Sequence, residues 1–253
     1  MNSLQRCDEW YLLRKGKVTA SEIYVLLGNH KEDMTEEELA KFKEENPKSK
    51  VRTKEVPFST GSYTYVDGKV AEMFMPDNAY LEYIEECKFD TKAMQWGTLF
   101  EDKARETYCN ITHKEIMDAP FIPYEGYERF AGGSPDGLNI KENAIIEVKC
   151  PFNPAIHLRH FLYETQEDLK NDNLQYYAQV QYNMLVSEDY FGHKCEYCDF
   201  ISYDPRTGVS KQLKVLRVLP DEELQNLLTE RTKLAVQYMK EQVDKINNAK
   251  SIM

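Results

Sequence analysis

The sequence predicts a protein of the α/β or α+β class, in which helices and strands pack in layers. Two observations support this class. The predicted elements follow one another as helices, strands, a helix, strands and a closing helix, an order that is found in layered domains. Residues typical of strands are concentrated in the second half of the chain. Because 253 residues can form one substantial core, we expect a single domain over 1–253.

Helical patterns dominate the first half of the chain. Helices are predicted over residues 6–14, 19–28, 35–46, 60–75 and 93–108. Gly28 is expected to end the second of them, because glycine readily adopts the backbone conformation at a helix C-terminus. The third helix opens with acidic residues, which the positive end of a helix dipole favours. The segment that follows it, up to Lys54, is predicted to be a loop with a local excess of positive charge.

The second half of the chain contains the predicted strands. They cover residues 129–133, 143–150, 197–203 and 208–218. A helix over 173–187 lies between the second and the third strand. The turn sequence Asp-Pro-Arg-Thr-Gly at 204–208 predicts that the last two strands form a hairpin. A long helix over about 221–247 closes the chain.

Composition and charge limit the classes of function. The N-terminal residues lack a basic stretch followed by an apolar run, and no window approaches 18 consecutive apolar residues. We therefore expect a cytoplasmic protein without a signal peptide or membrane span, whose six cysteines are reduced. The net charge of -11 counts against nucleic-acid binding, which favours a basic surface. An enzyme can combine this net charge with nucleic-acid binding if its bound metal ions neutralise clustered carboxylates and its basic residues line one channel.

The most informative stretch is a Pro-Asp-Gly turn at Asp136, followed by an apolar strand that carries Glu147 and Lys149. Alternate side chains of a strand share one face, so Glu147 and Lys149 point the same way, while Ile146 and Val148 point into packing. The short connection lets Asp136 reach the face of Glu147. Two carboxylates beside an ammonium group suit a hard cation such as Mg²⁺ or Mn²⁺. The sequence has six acidic-x-lysine triplets, and only this one lies in an apolar β-run.

The segments Ser-Pro-Asp-Gly-Leu and Ile-Glu-Val-Lys-Cys-Pro resemble the PD-(D/E)XK nuclease core of the family of bacteriophage lambda exonuclease and the YqaJ-type viral recombinases. Four further segments resemble motifs of this family in the same order: Trp10–Ser21, Trp96–Glu101, Ala178–Tyr182 and Tyr203–Arg206. The resemblance implies a restriction-endonuclease-like core, with a central mixed sheet flanked by helices. The chain departs from the family by extra length over about 29–92, which could alter DNA access or subunit packing.

The resemblance also implies a role for individual residues. Lys149 would position or deprotonate the attacking water. The metal ligands would be Asp136, Glu147, the Val148 carbonyl and Glu101. They would hold two Mg²⁺ ions, with Mn²⁺ as a substitute. The resemblance also implies that the catalytic centre comprises Asp136, Glu147, Glu101, Lys149 and a glutamine of the Ala178–Tyr182 motif.

That glutamine is Gln181, a polar residue on the apolar stripe of the helix over 173–187, where a buried polar group needs a partner. The resemblance implies that Gln181 contacts phosphate or the metal-bound water. Arg14, Ser21 and Ser134 would bind DNA phosphate, and the Arg14 guanidinium would donate hydrogen bonds to two oxygens of the terminal 5′-phosphate. Simpler interpretations stay open for these residues: an ion pair of Glu101 with Arg105, a surface arginine at Arg14, a helix cap at Ser21, a turn residue at Ser134, and a backbone hydrogen bond of Gln181.

Cys195 and Cys198 form a Cys-x-x-Cys pair that could bind zinc or an iron–sulfur cluster. Such clusters need four cysteines, and none follows Cys198, so structural thiols are the favoured interpretation.

The resemblance implies a processive 5′-to-3′ exonuclease that acts on double-stranded DNA ends, hydrolyses one strand to mononucleotides and leaves single-stranded DNA for recombination. It further implies a homotrimer and a single-strand annealing protein as partner. Two alternatives stay open: a structure-specific or restriction-type endonuclease on the same core, and a catalytically inactive DNA-end-binding module. Basic residues from Lys48 to Lys54, together with Arg14, Lys15 and Lys17, are expected along the DNA path.

Overall fold

The computed structural model describes residues 5–28, 30–87 and 91–249. Its α-helices are α1 (Asp8–Arg14), α2 (Glu36–Glu45), α3 (Thr60–Phe74), α4 (Asp77–Cys87), α5 (Lys92–Thr112), α6 (Pro154–His160), α7 (Gln166–Asp172), α8 (Leu174–Phe191) and α9 (Glu222–Asn248). Its strands are β1 (Val18–Thr19), β2 (His30–Asp33), β3 (Thr53–Val56), β4 (Ile122–Pro123), β5 (Ala131–Gly133), β6 (Gly137–Asn139), β7 (Ala144–Lys149), β8 (Tyr197–Tyr203) and β9 (Leu213–Val218). The protein therefore has the predicted mixed α/β architecture.

The central sheet joins β6, β7, β8 and β9 in that order. β7 and β8 run parallel, whereas the two outer pairs are antiparallel, so the sheet is mixed, as predicted. The connection between the parallel strands contains α6, α7 and α8, because parallel neighbours need a long crossover. β8 and β9 form the predicted hairpin. A smaller sheet has the order β1-β5-β4, and β2 pairs with β3.

The two faces of the central sheet pack against different helices. Ile145 and Phe200 belong to the larger buried cluster, to which α8 and α9 also contribute. Ile146 and Val148 belong to a second cluster, with Tyr108 of α5. This alternation along β7 confirms the predicted register, in which the side chains on either side of Glu147 point away from it into packing.

The structure corrects several predicted elements. Residues 19–28 do not form an α-helix: β1 is followed by a 3-10 helix over Ala20–Leu27, because Val18 and Thr19 pair with β5. The predicted strand over 208–218 begins with a 3-10 helix and becomes extended only at Leu213. The sequence pattern does not predict the short strands β1, β2, β3, β4 and β6 or the helices α4, α6 and α7.

The predicted basic loop is also shorter than expected, because it runs into β3. Lys54 lies on that strand, and its Nζ is 2.6 Å from Glu38 Oε1 and 3.0 Å from Glu32 Oε1. Two carboxylates therefore neutralise Lys54 locally, and it adds little positive charge to the surface.

The extra region over 29–92 contains β2, α2, β3, α3 and α4, while Asn29 and residues 88–90 lie outside the described residues. The extent of the domain stays a prediction. Of the helices in the described ranges, none combines the length and apolar character that a membrane crossing requires. The cysteine side chains that the structure describes form no disulfide bond with one another.

Candidate active site

Asp136, Glu147 and Lys149 come together at the junction of β6 and β7. β6 pairs antiparallel with β7, so the turn that precedes β6 lies beside the end of β7. The Asp136 backbone N–H donates to the Ile146 carbonyl at 3.1 Å, and the Asp136 carboxylate accepts from the Val148 N–H at 2.6 Å. These two bonds fix the Pro-Asp-Gly turn against β7 and assemble the predicted centre.

Glu147 is fully buried and accepts three hydrogen bonds from side chains. Its Oε1 accepts from Lys149 Nζ at 2.7 Å and from Gln179 Nε2 at 2.6 Å, and its Oε2 accepts from Asn183 Nδ2 at 3.0 Å. Gln179 and Asn183 are one helical turn apart, so both reach β7 from the same face of α8. These donors compensate the buried carboxylate and hold it in one orientation.

The ammonium group of Lys149 is enclosed by Glu147, Gln179 and Tyr176. Its Nζ donates to Gln179 Oε1 at 3.1 Å and lies 4.8 Å from the centre of the Tyr176 ring. Burial alone lowers the pKa of Lys149, but the carboxylates of Glu147 and Asp136 outweigh that effect and raise this pKa above its ordinary value. Lys149 is therefore a charged hydrogen-bond donor whose position is set by its neighbours.

Glu101 faces the same site from α5, but its partner is Arg6. The Arg6 guanidinium lies 2.5 Å from Glu101 Oε2, whereas Arg105 pairs with Asp118. The interpretation of Glu101 as a helical ion pair with Arg105 is therefore wrong. Arg6 and Glu101 instead line a cavity of about 340 Å³ together with Lys149.

The oxygen ligands that line this cavity, Glu101 and Val148, and the neighbouring Asp136 and Glu147 together fit a magnesium or manganese ion in their chemistry. Asp136, Glu147, Glu101 and the Val148 carbonyl all offer hard oxygen donors. Burial, followed by the negative charges of Glu147 and Glu101, raises the pKa of Asp136 well above its ordinary value. A divalent cation would relieve the repulsion among these carboxylates. In the described residues no three acidic, histidine or cysteine side chains are already grouped as metal ligands. Here Arg6 and other protein donors hold the carboxylates, so metal binding would exchange some of these bonds.

Arg14 lies in a second cavity, of about 540 Å³. Its guanidinium carbon is 4.2 Å from the centre of the Trp10 ring, and it donates to Thr19 Oγ1 and Ser21 Oγ, each at 3.2 Å. Burial lowers the pKa of Arg14, and the negative charge of Glu22 in the same cavity opposes this effect only in part. No carboxylate in the described ranges lies within ion-pair distance of Arg14. A half-buried cation whose direct partners are two hydroxyls and an aromatic ring favours an anionic ligand. Arg14 is thus no solvated surface arginine, and Ser21 lies inside the 3-10 helix rather than capping it.

Ser134 links the Arg14 cavity to Glu147. Its Oγ accepts from Trp10 Nε1 at 3.0 Å, and its backbone N–H donates to Asn183 Oδ1 at 3.2 Å. Trp10 therefore contacts Arg14 through its ring and Ser134 through its N–H. Because Asn183 also donates to Glu147, a continuous series of contacts runs from the Arg14 cavity to the buried carboxylate.

The structure corrects one predicted site residue, Gln181. Its Nε2 donates to the Leu219 carbonyl at 2.9 Å, and its Oε1 accepts from the Asp221 N–H at 2.9 Å, so it joins α8 to the start of α9. Positions 179 and 181 are roughly 200° apart around an α-helix and cannot face the same site. Gln179, in the same sequence motif, is the glutamine that contacts Glu147. The simpler interpretation of Gln181, a backbone hydrogen bond, is confirmed.

Three further residues contact the site but were not predicted from the sequence: Tyr176, Asn183 and Arg6. Tyr176, Gln179 and Asn183 recur at intervals of three and four residues, which is the spacing of one helix face. That pattern is a usable signal for the face of α8 that meets β7. Arg6 has no comparable signal, because its contact with Glu101 joins segments that are far apart in the chain.

The late hairpin motif and the motif around Trp96 contact each other. Arg206 pairs with Asp204 through two bonds of 2.9 and 2.8 Å, and its guanidinium carbon lies 3.9 Å from the centre of the Trp96 ring. Arg206 also donates to the Phe152 carbonyl at 2.9 Å. These contacts tie α5 and the hairpin to the chain that leaves β7.

Cys195 and Cys198 are buried in the larger apolar cluster. Burial raises the pKa of the Cys195 thiol to about 12 and that of Cys198 well above its ordinary value. Neutral thiols in an apolar environment support the interpretation of these cysteines as packing residues.

Comparisons with known proteins agree with this architecture. The sequence matches the YqaJ-like viral recombinase domain over residues 9–190. No curated protein sequence gives a significant match. Two solved structures of LHK-Exo, an alkaline exonuclease from Laribacter hongkongensis, are similar to this chain, and one of them is a complex with dAMP. Both have a TM-score of 0.65, and their sequence identities are 23% and 22%. Each comparison covers 95% of this chain and 96% of the other.

A phage related exonuclease from Haemophilus somnus has a TM-score of 0.56 and 16% identity, over 91% of this chain and 96% of that one. At these identities the structural likeness shows the fold, which is the PD-(D/E)XK-like fold of alkaline exonucleases. The sequence match spans most of the chain and includes every residue of the two cavities described above except Arg6. The protein therefore belongs to the family of the YqaJ-like viral recombinase domain.

Proposed function

We propose that the protein is a metal-dependent 5′-to-3′ exonuclease that acts on double-stranded DNA and hydrolyses one strand to mononucleotides. The observation that carries this proposal is the adjacency of two chemically different cavities. One is lined by Lys149 and Glu101 and lies next to Glu147, and the other contains the half-buried Arg14. The two cavities share Arg6 and Met94 in their walls. A site that holds a terminal phosphate beside a cleavage centre suits removal of nucleotides from a DNA end.

The names of the structural relatives support the same proposal. Both LHK-Exo and the protein from Haemophilus somnus are described as exonucleases, and one LHK-Exo structure contains dAMP, a mononucleotide. Mononucleotides are the products that stepwise hydrolysis of a strand releases.

Each residue of the centre has a physical role in this proposal. Lys149 donates hydrogen bonds to the attacking water and the scissile phosphate, while Glu147 and Gln179 keep its ammonium group in place. Asp136, Glu147, Glu101 and the Val148 carbonyl would hold the metal, which supplies Lewis-acid stabilisation of negative charge on the phosphate. The proposal includes two Mg²⁺ ions, with Mn²⁺ as a substitute.

Arg14 and Ser21 would bind the terminal 5′-phosphate, and Ser134 would bind a neighbouring phosphate. Arg14 suits this role because its guanidinium is half-buried, oriented by Trp10 and without an ion-pair partner among the described carboxylates. The homotrimer, the single-strand annealing partner, the cytoplasmic location and a role in recombination are part of the same proposal and derive from family membership.

The deciding experiment uses end-labelled linear duplex and closed circular duplex, each with and without Mg²⁺. The proposal expects release of mononucleotides from linear DNA only, and only with the metal. Cleavage of the circle would support a structure-specific or restriction-type endonuclease instead. Binding to linear ends without any hydrolysis would support a catalytically inactive end-binding module.

A second experiment tests the phosphate site. Arg14→Ala should slow digestion of 5′-phosphorylated ends far more than digestion of 5′-hydroxyl ends, because only the former lose a charge-assisted contact. Arg159→Ala is the matched control, because Arg159 is exposed and pairs with Asp172 on the surface. Equal losses on the two kinds of ends would remove Arg14 from the phosphate site.

A further inference from the structure

The cavity around Arg14 has a second wall, to which the proposed function assigns no role. α4, which lies in the extra region over 29–92, contributes Tyr80, Tyr83 and Ile84 to this wall, and the start of α5 contributes Met94. The extra region therefore reaches the substrate side of the molecule rather than only its outer surface.

α4 is anchored next to α1. Lys15 Nζ lies 2.7 Å from Asp77 Oδ1 and 5.8 Å from the centre of the Tyr80 ring, and Tyr80 is buried. Tyr83, one turn further along α4, is different, because it lines the cavity and is 44% exposed. Its ring is therefore accessible to a ligand in the cavity while its helix is held in place.

The walls of this cavity differ in chemistry. Arg14 and Ser21 supply a cation and a hydroxyl, whereas Tyr83, Ile84 and Met94 supply aromatic and apolar surface. The carboxylates of Glu22 and Glu72 also line the cavity, and both pair with Lys69, at 3.4 and 3.0 Å. A nucleotide has the same polarity, with an anionic phosphate and a flat aromatic base. The volume of about 540 Å³ lies within the usual range of small-molecule sites, roughly 300–1,000 Å³.

The shared walls indicate which nucleotide the cavity receives. Arg6 and Met94 border both this cavity and the one that contains Lys149. A nucleotide whose 5′-phosphate lies at Arg14 and whose 3′-phosphate lies at Lys149 is the terminal nucleotide of the strand. Its base would then be next to Met94 and Tyr83.

We propose that Tyr83, with Ile84 and Met94, forms the stacking surface for the base of the 5′-terminal nucleotide, the one that is released. This inference rests on the proposed function, because it takes Arg14 as the site of the terminal phosphate. The surface tolerates every sequence, since each base presents a π-face to an aromatic side chain. The extra region thereby contributes to substrate binding.

The first test is a double-mutant cycle between protein and DNA. Tyr83→Ala should weaken binding of a 5′-phosphorylated duplex roughly 5- to 100-fold, and an abasic terminal nucleotide should weaken wild-type binding by a similar factor. The two changes together should cause no further loss. Tyr83→Phe should bind like the wild type because it keeps the ring, and Tyr190→Ala is the matched control, equally exposed at 44% but lining a different cavity. Losses that multiply in the double change would overturn the inference.

The second test reads stacking directly and needs no hydrolysis. A duplex with 2-aminopurine as its 5′-terminal base is titrated with protein in EDTA. The wild type, Tyr83→Phe and Tyr190→Ala should quench the fluorescence of the base, and Tyr83→Ala should not. Equal quenching by Tyr83→Ala would overturn the inference.

The two hypotheses fail in different ways. If Arg14→Ala discriminates between phosphate and hydroxyl ends but Tyr83→Ala does not couple to the abasic nucleotide, only the stacking surface is wrong. If the wild type digests no linear duplex with Mg²⁺, the proposed function is wrong, and the 2-aminopurine titration still decides whether Tyr83 contacts the terminal base.

Discussion

Replacing Gln181 and Gln179 in turn separates a structural glutamine from one that positions the active site. Gln181→Ala removes three hydrogen bonds: to the Leu219 carbonyl, from the Asp221 N–H, and from Gln225 Nε2 at 3.2 Å. At roughly 1 kcal/mol each, their loss lowers the free energy of unfolding by about 3 kcal/mol. For a chain of this size that corresponds to a fall in Tm of about 6–12 °C. Turnover per folded molecule should stay near that of the wild type.

Gln179→Ala should have the opposite profile. Glu147 loses its Gln179 donor and Lys149 loses its Gln179 acceptor, so both groups of the centre become less well oriented. Removal of such a supporting contact typically lowers activity about 10- to 100-fold. The change in Tm should be smaller than for Gln181→Ala, because Gln179 is only half-buried.

Thermal unfolding followed by circular dichroism gives Tm, and digestion of a 5′-phosphorylated duplex with Mg²⁺ gives turnover per folded molecule. Gln175→Ala is a control on the same helix, since Gln175 is exposed. The assignment of the two glutamines would be refuted if Gln181→Ala lost turnover while keeping the wild-type Tm, or if Gln179→Ala digested DNA at the wild-type rate.

Three further predictions follow from the structure. Lys149→Ala should lower turnover by at least roughly 100-fold while DNA binding in a gel-shift assay persists, and near-normal turnover would show that the centre is assigned wrongly. Burial lowers the pKa of His160 to about 4, so the unfolded chain binds the proton more tightly than the folded protein does. The free energy of unfolding should therefore fall by roughly 1.4 kcal/mol per pH unit as the pH is lowered from about 6.5 to about 4. Urea unfolding at pH 7 and pH 5.5 should show this loss in the wild type, and a similar loss in His160→Asn would contradict it. Replacing Lys50 and Arg52 with Gln should reduce the slope of log Kd against log salt concentration for DNA binding by roughly 0.9 per phosphate contact. Lys54→Gln should leave this slope unchanged, because Lys54 is already paired with two glutamates. Equal slopes for the wild type and both variants would place the segment outside the DNA path.

Local chemistry was sufficient to predict the centre of the candidate site. The alternation of side chains along a strand is a property of the backbone, so the shared face of Glu147 and Lys149 could be predicted without knowing what packs against it. The Pro-Asp-Gly turn is equally local, and the structure brings Asp136 to the strand as expected. The mixed central sheet was also predicted, although through family resemblance rather than from local pattern.

Tertiary structure decided the features that depend on partners far apart in the chain. Residues 19–28 look helical by themselves, but pairing of Thr19 with β5 extends the backbone before the 3-10 helix begins. The positive charge of Lys54 is evident in the sequence, and its neutralisation by Glu32 and Glu38 is not. Arg6 and Glu101 meet only because α5 packs beside the centre.

The choice between Gln179 and Gln181 has the clearest physical reason. α8 is buried over most of its circumference, with apolar residues against the sheet and against α9. Hydrophobic periodicity locates a buried face only when the opposite face is polar, so it cannot set the rotation of such a helix about its axis. The sequence by itself determined that a polar residue of this helix needs a partner. Only packing against β7 and α9 decided that Gln179 holds Glu147 while Gln181 holds the start of α9.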